Sequence, residues 1–81
     1  MTVAEFRSAM LRAQTMGQVS PDEEPYWRGF RHGLRRAFHG ADFDPERHEL
    51  LMGGSYTGDP MRDAVTRGYR DGLAVRWPAI E

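Results

Sequence analysis

Apolar residues recur at Val3, Phe6, Ala9, Met10, Ala13 and Met16, the three- and four-residue spacing that lines up side chains along one side of a helix. The same period runs through residues 21–39 and 60–76. Start and stop residues bound these stretches. Thr2 and Glu5 stand at capping-box spacing, and Gly17 falls where the first helix is expected to end. Ser20 with Pro21 and Glu23, Asp44 with Pro45, and Asp59 with Pro60 repeat one start signal. Each joins a side-chain oxygen that can hold free amides to a proline, whose missing N–H costs nothing in the first turn. Gly40, the Gly53–Gly54 pair and Pro78 supply the stops. The pattern predicts an all-α chain with helices near 3–16, 21–39, 45–52 and 60–76, Pro25 delaying or bending the start of the second.

Shifting the chain against itself by 39 positions aligns residues 20–38, SPDEEPYWRGFRHGLRRAF, with residues 59–77, DPMRDAVTRGYRDGLAVRW. Cap, proline and core motif coincide, and both copies read R-G-aromatic-R-x-G-L. On the second helix, Tyr26, Trp27, Gly29, Phe30, Gly33, Leu34, Ala37 and Phe38 fall on one half, and the arginines and histidines on the other. A glycine inside a helix costs about 1 kcal/mol relative to alanine, so Gly29, Gly33, Gly68 and Gly72 together cost about 4 kcal/mol, a large part of a small domain's stability. Close approach of two backbones would offset that. The expected architecture is a compact bundle of about four helices. Helices two and four cross at Gly29/Gly33 and Gly68/Gly72 as a pseudo-twofold pair, with helices one and three at its sides.

The chain has 81 residues, which sets one small domain with a thin core and little room for a deep catalytic pocket. Cysteine is absent, excluding disulfides and thiolate metal sites and fitting a reducing compartment. Glu5, Arg7 and Arg12 interrupt the start of the chain, and no long apolar run follows, so neither export by a signal peptide nor a membrane span is expected. All 11 basic residues are arginine, as a GC-rich genome alone would produce. His32, His39 and His48 have the acids Asp42, Asp44, Glu46 and Glu49 nearby, but no two histidines have the i, i+3 or i, i+4 spacing of a helical ligand pair, so no metal site is expected. Ser55, Tyr56 and Thr57 lie in a glycine-flanked loop that lacks a nucleophile elbow. The Gly53-Gly54-Ser55 run has neither the lysine nor the preceding strand of a phosphate loop. The reading is a non-enzyme with no cofactor.

Charge is segregated. Residues 26–39 carry four arginines and no acid, whereas residues 41–59 carry five acids and Arg47 alone. Glu24 with Arg28, and Asp63 with Arg67, have the spacing of structural ion pairs. Arg35 and Arg36 are different, since Ala74 and Val75 replace them in the second copy, leaving them as candidates for a partner contact or a merely solvated face. Asp42, Glu46 and Glu49 are candidates for imitating phosphates in a basic groove, against the alternative of a solvated acidic turn. The arginine helix suggests a rival reading, a small nucleic-acid-binding regulator, although the net charge of −1 weighs against it. A structural or homo-oligomeric protein, its glycine-edged face lying between molecules, is a second rival.

The segment YWRGFRHGLRRAFHG followed by DPERHELLM, within residues 26–52, resembles small phage- and prophage-encoded proteins with a G-aromatic-x-x-GLRR-A-aromatic-HG pattern before an acidic, His/Glu-containing short helix. These include anti-CRISPR proteins of type I systems, type I-C among them. The likeness covers about a third of the chain, plus its echo at 67–73. It implies immune evasion in the host bacterial cytoplasm by a stoichiometric binder, monomeric or weakly dimeric, that sits on the CRISPR surveillance complex, Cascade, and keeps target DNA from docking. Nucleic acid and membrane are not its direct partners in this reading. The contact residues would be the acidic trio Asp42, Glu46 and Glu49, with Arg35 and Arg36 pairing carboxylates and Tyr56 as an aromatic anchor.

Overall fold

A computed structural model describes residues 1–54 and 56–78. Ser55, considered above as a nucleophile, lies outside the described residues. Four helices follow in order: α1 (Val3–Val19), α2 (Glu24–His39), α3 (Pro45–Gly53) and α4 (Pro60–Leu73), with a single 3-10 turn at Pro21–Glu23 leading into α2. Among the described residues there is no strand, so the chain is all-α as the period predicts.

The crossing of α2 and α4 is the centre of the fold. A β-carbon added to Gly29 would run into the carbonyl oxygen of Val65, and one on Gly33 into that of Tyr69. Added to Gly68 or Gly72, it would meet the carbonyls of Tyr26 and Phe30. Residues 26 and 65, and 30 and 69, are related by the same 39-residue offset as the glycines. The contacts are therefore reciprocal, as a pseudo-twofold pair requires. Helix backbones this close leave no room for even a methyl group, which is the gain that offsets the glycines' low helix propensity.

Phe30, Leu34 and Tyr69 are the largest fully buried side chains. α1 lays Phe6, Ala9, Met10, Ala13 and Met16 against Trp27, Phe30 and Leu34 of α2, and Phe6 stacks on Phe38 with ring centres 4.3 Å apart. Ala37, assigned by periodicity to the apolar half, is exposed.

Three helix boundaries lie three residues from the sequence reading, and α3 ends one residue later than expected, at Gly53. Gly17 does not end α1. It is buried inside the helix with ordinary helical continuation, and a methyl added there would stand 3.4 Å from the Trp27 Cβ, a normal packing distance. Ser20 makes no side-chain cap; the chain takes one 3-10 turn, and α2 begins at Glu24. α4 stops at Leu73 instead of 76 because Val75 adopts a positive φ of 52°. The Arg76 amide then donates to the Asp71 carbonyl (2.8 Å) and the Val75 amide to that of Gly72 (3.0 Å), the paired bonds of a Schellman ending. The early stop turns Trp77 back over the core, 4.6 Å from Phe30 between ring centres, with the Arg12 guanidinium 4.1 Å above the indole. Trp77 and its repeat counterpart Phe38 thus do different work. Elsewhere the sequence signals hold: the Thr2–Glu5 capping box forms, and the carboxylates of Asp44 and Asp59 accept from the Arg47 and Met61 amides.

Candidate functional site

α3 has no buried residue, so apolar packing does little to hold it in place, and polar side chains from α2 and α4 take over. Arg36 of α2 donates to the Phe43 carbonyl (3.1 Å), fixing the turn before α3. The Phe43 ring lies between His32 and His39, with ring centres 5.4 and 5.3 Å away. Asp44 takes a left-handed conformation, which aspartate tolerates, and places a carboxylate oxygen 3.1 Å from His32 Nε2. Further along, His48 Nδ1 lies 2.7 Å from the hydroxyl of Tyr69 on α4. Arg70 closes the far end, donating to the carbonyls of Leu51 (3.1 Å) and Gly54 (2.9 Å).

This frame determines how the predicted contact residues are presented. Asp42 lies in the clamped turn, and Glu46 and Glu49 stand three residues apart on α3. All three are exposed, and none of their carboxylates makes a hydrogen bond or ion pair among the described residues. Arg35 is likewise exposed and without an ion pair among the described residues. Arg36 is half-buried, engaged by the Phe43 carbonyl and so committed to holding the acidic turn. Tyr56 is 52% exposed, and the Arg70 guanidinium sits 5.3 Å from its ring centre. No hydrogen bond or ion pair joins any two of these six residues among those described.

Two clamps escape sequence reasoning. Arg70 is visible in the sequence only as the repeat counterpart of Arg31, which reaches Glu24 at 3.5 Å. The expected Asp63–Arg67 pair does not form. Asp63 instead accepts from the Thr57 amide (2.8 Å), the Thr57 hydroxyl (3.1 Å) and the Gly58 amide (2.9 Å), tying the loop to α4. Those donors, the Thr57 amide first, hold its carboxyl below the usual aspartate range. The matching Glu24–Arg28 pair is present at 3.8 Å.

His32 is half-buried, and burial pulls its pKa below 6.5 despite Asp44. Among the described residues no group of three or more His, Asp or Glu is placed to hold a metal ion, and no helix is long and apolar enough to cross a membrane. No protein-family model, no curated protein and no solved structure matches the chain.

Proposed function

We propose that this chain acts by stoichiometric binding, as a phage-encoded anti-CRISPR protein that occupies the DNA path of a type I Cascade in the host cytoplasm. The resemblance in residues 26–52 names the partner. The observation that carries the mechanism is the trio Asp42, Glu46 and Glu49, exposed carboxylates without internal partners on a turn and short helix held from both ends. Fixed negative charge lowers the ordering cost of binding a basic groove and speeds encounter with it. The nucleic-acid-binding alternative is less favoured by the arginine helix itself, where Arg28 and Arg31 face Glu24 and Arg36 holds Phe43.

The test is competition between this protein and target DNA for purified type I Cascade. Wild-type protein is expected to prevent DNA binding. A triple variant, Asp42→Asn, Glu46→Gln and Glu49→Gln, is expected to need about tenfold more protein for the same block, equivalent to about 1.4 kcal/mol, with its melting temperature retained. Undiminished DNA binding at saturating protein overturns the reading.

A further inference from the structure

The two repeat copies are not equally filled. In the first, the Trp27 side chain is buried beside the end of α1, its Cβ at packing distance from Gly17, and Tyr26 packs against the same core. Their counterparts in the second copy are Val65 and Thr66, much smaller side chains. The leading helix is shorter as well: by the 39-residue offset, α3 ends at the counterpart of Gln14 and has nothing matching Thr15–Val19. The result is a cleft of about 360 Å³ between α2, α3 and α4, within the range of about 300–1,000 Å³ typical of ligand sites. It continues into a second lobe of about 200 Å³ past Arg28, Arg47, Leu51 and Val65, reaching His32 and Arg35.

Leu50, Leu51, Met61 and Val65 give the cleft apolar walls, and Leu50 and Met61 are 68% and 59% exposed. Arg28, Arg47 and Arg62 border the main lobe, and no carboxylate among the described residues lines either lobe. Arg28 and Arg47 have acidic neighbours at 3.8 Å but remain 55% exposed, while Arg62 and Arg35 have no ion-pair partner among the described residues. Arg62 stands where the first copy has Glu23, so the sign of the charge is reversed in the open copy.

We propose that this cleft docks an acidic segment of a partner protein. An apolar side chain of that segment enters the space that Trp27 fills in the other copy, and its flanking carboxylates meet Arg28, Arg47, Arg62 and Arg35. Two adjoining lobes that share Arg28, Arg47, Leu51 and Val65 suit successive side chains of one segment. A nucleic acid fits less well, because no Phe, Tyr or Trp among the described residues lines either lobe, His32 in the smaller lobe is the one ring that could stack on a base, and a phosphate backbone gains nothing from leucine, methionine and valine. The site has the opposite charge to the acidic trio and shares only Arg35 with the Cascade reading, and because neither test substitutes Arg35, either reading can fail alone.

Panning a random peptide display library against the intact chain tests it. Enriched sequences are expected to combine several Asp or Glu with a central aromatic or branched apolar residue. Affinity of a synthetic representative, read by fluorescence anisotropy, should fall about tenfold or more in Thr66→Trp, which fills the cleft, and severalfold in Arg62→Gln, which leaves the packing alone. Replacing the peptide's carboxylates with amides should weaken it comparably. Failure to enrich such sequences overturns the proposal. So does unchanged affinity in Arg62→Gln and in a folded Thr66→Trp, or displacement of the peptide by a single-stranded oligonucleotide at equal concentration.

Discussion

Val75 is a β-branched residue in a left-handed conformation, held there because the Schellman bonds that end α4 require it. That geometry costs a non-glycine residue about 1–2 kcal/mol. Val75→Gly is expected to stabilise the chain by about 1 kcal/mol and raise the melting temperature by about 4–8 °C in thermal unfolding followed by circular dichroism. Tyr26 presents the opposite case, since its hydroxyl donates to Asp71 Oδ2 at 2.6 Å in a half-buried site. Tyr26→Phe leaves that acceptor without its donor and should cost about 1–2 kcal/mol in urea unfolding. Burial, then Asp71, raises the Tyr26 pKa. The stability linked to its proton is complete below the ordinary tyrosine value of about 10 and is lost as pH climbs above it.

His32 responds to pH in the other direction. Burial favours its neutral form, and Arg47 and Arg35 add to that, while Asp44 opposes. The unfolded chain takes up this proton first. Stability is therefore full above pH 6.5 and declines as the pH falls through and below that value. His32→Gln is expected to flatten the decline between about pH 6.5 and 5, measured by urea unfolding, where few carboxylates titrate.

At the scale of elements, the glycine crossing carries the sharpest mutational contrast. Gly68→Ala forces α4 away from the Tyr26 and Phe30 backbone and should destabilise by about 3 kcal/mol, lowering the melting temperature by about 10–20 °C. Gly53→Ala is the control, because nothing lies within 4 Å of its added methyl and it is expected to be near neutral. This crossing was readable before any coordinates, because four costly glycines at one offset demand a compensating contact. Helix starts were readable wherever a side chain bonds its own helix, as at Thr2, Asp44 and Asp59. Endings set by tertiary packing were not. Gly17 reads locally as a stop yet lies buried inside α1, which runs on to Val19, and no local residue signals that Val75 will turn left-handed. The clamps on α3 were hidden for a related reason, since Arg70 and Tyr69 reach partners 16 to 21 residues away. The cleft was equally hidden. It depends on a helix that is missing a turn and on two aromatics replaced by smaller residues, visible only when the two copies are compared in space.

The whole molecule is a slab, with principal extents of 36 × 33 × 17 Å, thin enough that much of every helix except the α2–α4 core meets water. Its parts are not equally secured. α2 and α4 share the crossing and most of the buried side chains, α1 adds an apolar face, and α3 relies on polar tethers. Amide hydrogen exchange should rank protection accordingly, highest in α2 and α4, then α1, then α3. Arg70→Met, which removes the tether to the Leu51 and Gly54 carbonyls, should speed exchange in α3 with little change in α2.

The crossing's reciprocity reaches beyond the single chain. Each copy of the motif brings both the indentation and the carbonyl ridge that fits it, so the seam has the isologous character of a homodimer interface. A half-length hairpin carrying one copy already holds the groups needed to embrace its twin, which makes duplication and fusion of such a hairpin a direct route to this architecture.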